Sequence, residues 1–277
     1  MIKKILKRTL HLLLAVIFSL GLPIVIKQFI LRPIRFDIIG DNTAGQLFQW
    51  GFSLILIITG YILFVRIFEK RKAEELSLKR FLPDMLKGSL WGIISIGGIL
   101  LVLALMGIFK VTGANNHINM YQMVLFLFIL STTEEILYRG ILYRLFEEWT
   151  NTGIALLVSS FLFSIMHLSN DNYNIYSFLA IIAGGMIMGL IYTKTRSLWW
   201  PIAAHFFWNY TQIFMGIRLS GEDMFPNLSI FKSKFTGNSL LTGGDFGVEN
   251  SIITIIYTIS VVIVLWVLIS REKKRIS

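Results

Sequence analysis

A polytopic, all-α membrane bundle of about eight transmembrane helices is the fold class this sequence predicts, on three observations. Hydrophobic residues make up 55% of the chain and charged residues only 15%, against roughly 25% charged in an ordinary soluble domain. The apolar residues fall into runs of about 18 to 25, the length a helix needs to cross about 30 Å of hydrocarbon. The net charge is +10, yet the bases gather at the ends of those runs and form no stripe with interleaved aromatics. That charge orients a chain in a bilayer, and nucleic acid is not an expected partner.

The first candidate span, about Leu10 to Leu31, follows Lys3, Lys4, Lys7 and Arg8. A secretory signal ending near Ser19 and Gly21 is the other reading of this stretch, but the apolar run continues past that point. The second, about Gln46 to Phe68, precedes a segment from Arg66 to Lys87 that holds seven bases. The third runs from about Gly88 to Phe109 and the fourth from Met120 to Leu145, ending in Arg139 and Arg144. Gly153 to Leu168 forms a short fifth span. The sixth, Tyr173 to Thr193, is followed by Lys194 and Arg196, the seventh covers Leu198 to Ile217, and the eighth, Ser251 to Ile269, precedes Arg271, Lys273, Lys274 and Arg275. With eight spans all of these basic groups share one side, which the positive-inside rule makes cytoplasmic. A multi-pass protein of the cell membrane with both termini inside is the expectation.

Four regions follow: N-terminal transmembrane helices over 1–119, a core over 120–217, an external loop over 218–250, and a last helix with a basic tail over 251–277. The stretch from Gly216 to Asn250, rich in Gly, Ser and Asn, reads as a mobile loop. Gly88 with Gly92, and Gly185 with Gly189, have the GxxxG spacing that lets helix backbones approach in lipid.

The core contains polar residues that a bilayer penalises. An ionised side chain near the hydrocarbon centre costs about 2.5–3.5 kcal/mol on insertion scales, so such groups usually face the bundle interior, pair, and serve a function. Three spans carry them: Glu134, Glu135 and Arg139 in the fourth, His167 in the fifth, His205 and Asn209 in the seventh. Glu135 and Arg139 are four apart, on one helix face and within pairing reach, while Glu134 is rotated about 100° away. One carboxylate is thus neutralised within its own helix and the other is left available. His205 and Asn209, also four apart, aim at one neighbour, as ligand and donor or as base and oxyanion donor. Phe163 lies one turn before His167. The chain has no cysteine, so a metal would need His, Asp or Glu. Glu134, His167 and His205 form a set that can hold Zn²⁺ with a position open for water, or can activate water without metal through the carboxylate.

Glu134-Glu135-Ile136-Leu137-Tyr138-Arg139 resembles the EExxxR motif of the CPBP intramembrane proteases, the family of CAAX proteases and bacteriocin-processing enzymes also called Abi. Phe163 to His167 resembles its FxxxH motif and His205 to Asn209 its HxxxN motif, in the same order. The resemblance covers about Met120 to Ile217. It implies an all-helical intramembrane endopeptidase acting on a hydrophobic peptide or a membrane-associated protein. Glu134 would activate the water with His167 assisting, and His205 and Asn209 would position water or stabilise the oxyanion. Glu135 and Arg139 would support them, and whether a metal takes part is open within the family. Peptide maturation and bacteriocin immunity are among the roles the resemblance implies for bacterial members. The alternative is a non-catalytic immunity or scaffold protein binding a peptide in the same cavity; a transporter using Glu134 as proton carrier is weaker, for want of an inverted repeat.

Depth is the difficulty. At 1.5 Å per residue, Glu134 and His205 fall on the order of 20 Å from the outer face of straight, centred helices and His167 only about 10 Å. Either the fifth span starts deeper, with Phe146 to Thr150 extending the fourth helix beyond the interface, or it is tilted, or His167 does not touch the reacting groups; the first is the expectation.

Overall fold

The computed structural model describes residues 2–115, 120–223 and 228–276, and side chains up to residue 272. Residues 116–119 at the end of the expected N-terminal region, 224–227 of the expected loop, and the side chains of Lys273, Lys274 and Arg275 in the basic tail lie outside that description.

A helix stands at each of the eight expected places. Helix α1 is continuous over Ile2–Ile39, with π-helical turns at Ile17–Gly21, Lys27–Leu31 and Ile34–Ile39 on either side of Pro23 and Pro33, whose missing N–H groups break the regular ladder. Next come α2 (Thr43–Phe68), capped by the Asn42 side chain on the Gly45 N–H, and α3 (Leu78–Leu105). Helix α4 is unbroken from 121 to 149 and consists of Tyr121–Glu135, a π-helical Ile136–Tyr143, and Arg144–Trp149. The rest are α5 (Thr152–Ile165), α6 (Ile175–Thr195), α7 (Trp199–Phe214), the single turn α8 (Ser239–Thr242) and α9 (Ile252–Ile276).

The count of eight spans is not matched by composition. Among the described residues five helices are long and apolar enough to cross a membrane: α1, α2, α3, α6 and α9. The other three, α4, α5 and α7, are the ones that carry the motifs. Their polar residues and, for α5 and α7, their short lengths keep them below the mark, so they depend on the other helices to shield them.

Four expectations are corrected. The third span begins at Leu78, ten residues before Gly88, and ends at Leu105; Phe109–Ala114 is instead strand β1. It pairs antiparallel with β2 (Phe231–Phe235), with a bulge between Val111 and Gly113, so the bundle carries a small sheet. Helix α5 stops at Ile165, short of Leu168. The described part of the segment from Gly216 to Asn250 is folded, with Phe246, Val248, Glu249 and Asn250 buried. Its glycines make this possible: Gly216, Gly221, Gly243 and Gly247 all have positive φ, a conformation other residues adopt at a cost.

The GxxxG pairs bring the motif helices into place. A Cβ on Gly92 would lie 2.6 Å from the Ala204 carbonyl oxygen, and one on Gly88 would strike the Trp200 carbonyl. Helix α3 therefore lies directly along α7. Likewise a Cβ on Gly185 would meet Ser160 at 3.0 Å and one on Gly189 would meet Leu156 at 2.6 Å, which seats α6 on α5.

At one end of α2 the charges close into a network. Glu69 accepts from His11 at 3.1 Å, from Arg71 at 2.7 Å and from Arg144. Glu75 accepts two bonds from Arg71, at 2.8 and 2.9 Å, and one from Tyr61. Burial pushes both carboxyls up, but the Arg144 and Arg71 guanidiniums beside Glu69, and the Arg71 and Tyr61 bonds on Glu75, more than offset it and hold both below the ordinary value of 4.5.

Candidate active site

Helix α4 delivers two adjacent carboxylates to different surroundings. Glu135 is fully buried and bonded to Arg139 at 2.9 Å, as the four-residue spacing predicts. Arg139 is 1% exposed, donates to the Gly185 carbonyl at 2.9 Å and lies over the Phe163 ring at 5.1 Å. Gly185 thus serves twice, admitting α5 through its missing side chain and accepting the arginine through its carbonyl. The wide π-helical turn begins at Ile136, directly after this pair; such turns are frequent where helices carry function.

Glu134 keeps 22% of its side chain exposed and faces a cavity of about 300 Å³. Thr133, Tyr138, Phe163, His167, His205 and Asn209 share the lining with it, among Leu130, Leu137, Ile181, Ile187 and Met188. The cavity is mostly apolar with a few convergent polar groups, the usual composition of a ligand site.

His205 joins the two carboxylates. Its Nδ1 is 2.9 Å from Glu135 Oε1, and its Nε2 is 3.5 Å from Glu134 Oε2. The first is a hydrogen bond, with the imidazole donating; the second is long for one. Spacing alone had assigned Glu135 to Arg139 and Glu134 to the histidines, whereas a single ring here faces both. Asn209, one turn on, is 5% exposed and its amide makes no hydrogen bond to a described residue, so it is free to donate into the cavity it lines.

His167 lies in turns beyond the end of α5. Its Nδ1 meets the Phe163 carbonyl oxygen at 2.8 Å, which leaves Nε2 as its other ring nitrogen. The Phe163 ring packs against His167 at 4.8 Å and His205 at 5.9 Å between centroids, so one aromatic holds both imidazoles. Within the fold, α4 runs on to Trp149, and His167 reaches the cavity on a turn after a short helix.

Among the described residues no three of His, Asp and Glu lie together closely enough to hold an ion. His205 Nδ1 on Glu135 and His167 Nδ1 on the Phe163 carbonyl leave Nε2 of each ring as the nitrogen for a ligand, as outer partners also do for metal-bound histidines; Glu134, His167 and His205 are the residues that would hold an ion.

One lining residue was invisible to spacing. Glu249, on the segment expected to be a mobile loop, is 8% exposed and borders the cavity. It accepts from Trp208 Nε1 at 2.7 Å, Gln212 Nε2 at 3.2 Å, and the Ser220 N–H and hydroxyl at 3.0 and 2.6 Å. No motif or helical period marks it; the one local signal is a carboxylate three residues from the start of an apolar helix.

The geometry defines a helical membrane protein with a mostly apolar cavity into which the three motif segments bring carboxylate, imidazole and amide groups. Residues 114–211 match the family model described as "Type II CAAX prenyl endopeptidase Rce1-like". The "Putative membrane peptidase YdiL" of Bacillus subtilis (strain 168) is 29% identical over 113 residues, which is 41% of each chain. The chain thus spans about two fifths of the length of that curated relative. No solved structure matches. The matched segment contains all three motifs, and both matches support the resemblance of that segment to the CPBP intramembrane proteases.

Proposed function

We propose that the protein is an intramembrane endopeptidase that hydrolyses a peptide bond in a hydrophobic peptide or membrane-associated protein, with water activated by Glu134. The observation that carries this reading is the unequal treatment of adjacent carboxylates. Glu135 is locked by Arg139 and His205, while Glu134 opens to the cavity with one long contact.

In this mechanism Glu134 takes a proton from water as the oxygen attacks the peptide carbonyl carbon. The carbonyl oxygen becomes an oxyanion that the Asn209 amide stabilises by donation. The C–N bond then breaks and the proton passes from Glu134 to the leaving amine. His205, held by Glu135, keeps Glu134 in position and shares its proton, and His167 presents Nε2 to the water. Glu135 and Arg139 hold His205, and Phe163 backs both rings. General-base removal typically costs about 10²–10⁴ in rate, and loss of one oxyanion donor about 10²–10³.

The test is cleavage of candidate peptides by the purified chain in detergent, beside Glu134→Gln and with and without chelator. Loss of cleavage in the variant at unchanged abundance supports the reading, and activity retained by Glu134→Gln rejects it. Inhibition by chelator, restored by Zn²⁺, would replace the metal-free mechanism with a metal-dependent one. A wild-type chain that binds peptide in this cavity without cleaving any would instead be a peptide-binding immunity or scaffold protein.

A further inference from the structure

We infer that Glu249 is a positioning residue of the site: its carboxylate ties the turn carrying His167 to the helix carrying His205 and Asn209. The inference rests on the peptidase reading for its kinetic consequence, and its geometry stands independently.

His167 needs an external support because it lies beyond the last residue of α5, where no helical ladder fixes it. Within its own turn it has its Nδ1 contact to Phe163 and a backbone bond to Ser164 at 3.1 Å. Support comes from across the chain. The Asn170 N–H bonds the His167 carbonyl at 3.0 Å, and the Asn170 side chain donates to the Ser220 carbonyl at 2.8 Å. Ser220 then donates both its N–H and its hydroxyl to Glu249 Oε2, and Trp208 and Gln212 donate to Oε1. Trp208 adjoins Asn209. A chain of hydrogen bonds thus runs from His167 through Asn170, Ser220 and Glu249 to α7, along the wall of the cavity.

Two details argue that this arrangement is specific. Ser220 has φ +49°, a left-handed conformation unfavourable for a non-glycine residue and held only where the surroundings over-determine it. Each carboxylate oxygen, moreover, faces a group that can only donate: Trp208 Nε1–H at one and the Ser220 backbone N–H at the other. A glutamine of the same shape cannot replace it, because either orientation of the amide sets its NH₂ against an N–H. The contacts therefore require two acceptor oxygens, which a carboxylate supplies.

The experiment uses the full chain in detergent, with Glu249→Gln, Glu249→Asp, Ser220→Ala and Trp208→Phe. It reads thermal stability, backbone hydrogen exchange by peptide, and kcat and KM. Glu249→Gln is expected to accelerate exchange over residues 166–173 and to lower kcat by up to about 100-fold, as a catalytic group displaced by an ångström does, with KM little changed. Glu249→Asp, which keeps two acceptor oxygens, should recover part of the rate. Should Glu249→Gln fail to fold, Ser220→Ala and Trp208→Phe each remove one donor and should show the same pattern at lower amplitude. Exchange over 166–173 identical to wild type, with only residues 239–250 loosened, would reduce Glu249 to a staple for its own loop and overturn the inference. So would faster exchange over 166–173 with unchanged kcat in an active enzyme. An inactive wild type would reject the peptidase reading, while the exchange measurement would still decide whether Glu249 holds the His167 turn.

Discussion

The Glu69–Glu75 cluster and the Glu134–Glu135 pair are built from the same parts, two carboxylates with arginine, histidine and tyrosine nearby, and they are settled in different ways. Around Glu69 and Glu75, both oxygens of each acid have partners, and Arg71 and Arg144 serve them jointly. Around the second pair, Glu135 Oε1 takes both Arg139 and His205 while its Oε2 is buried without a partner among the described residues, and Glu134 has one long contact. The difference teaches which charge serves the fold. A carboxylate whose acceptor sites are filled ties helices together, whereas one left open beside a cavity is available to a ligand.

That comparison can be tested at several points. The largest effect is expected for Arg139→Ala, which leaves Glu135 as a buried charge without its arginine; breaking such a pair costs about 3–5 kcal/mol, to be read as loss of folded protein in a detergent thermal melt. Glu134→Gln should behave oppositely, with no measurable change in the melt and a rate loss of about 10²–10⁴. Equal effects of the two on stability would erase the distinction between structural and available carboxylates. Asn209→Ala should follow with a rate loss of about 10²–10³ and little change in KM.

Smaller effects belong to the first cluster. Glu75→Gln removes the charge that takes both Arg71 bonds and should cost about 1–3 kcal/mol without touching kcat. The pH dependence should be gentler still. Glu69 and Glu75 have folded pKa values below the ordinary 4.5, so the stability they contribute is complete above the unfolded value and is lost as pH falls through the folded ones. Melting temperature should therefore decline progressively below about pH 4.5, and the decline should be reduced in Glu75→Gln. A slope unchanged by that substitution would mean that other carboxylates dominate acid unfolding.

How legible the molecule was from its sequence varies with the range of the interaction. Hydropathy and charge placed a helix at all eight positions, because a membrane helix satisfies its backbone within itself and its signal is local. The Glu135–Arg139 pair and the two glycine pairs were readable for the same reason, being set by three- and four-residue spacing. Length and composition support five of the eight spans and leave α4, α5 and α7 undecided, since their polar residues depend on neighbours for shelter. The segment from Gly216 to Asn250 was misread because its glycines suggest freedom, whereas Gly221 and Gly247 use positive φ to bring Glu249 and Ser220 together.

By itself, then, the sequence determined a helical membrane protein, the three motif segments, and one self-neutralised glutamate beside one unpaired within its helix. Tertiary structure decided the rest: His205 spanning both carboxylates, His167 returning to the cavity on a turn, and Glu249 bracing that turn from a distant loop. Periodicity records which residues share a face of one helix. It is silent on which faces meet, because pairs separated by 70 or more residues depend on how whole helices pack, and at Gly88, Gly92, Gly185 and Gly189 that packing turns on the absence of a single Cβ atom.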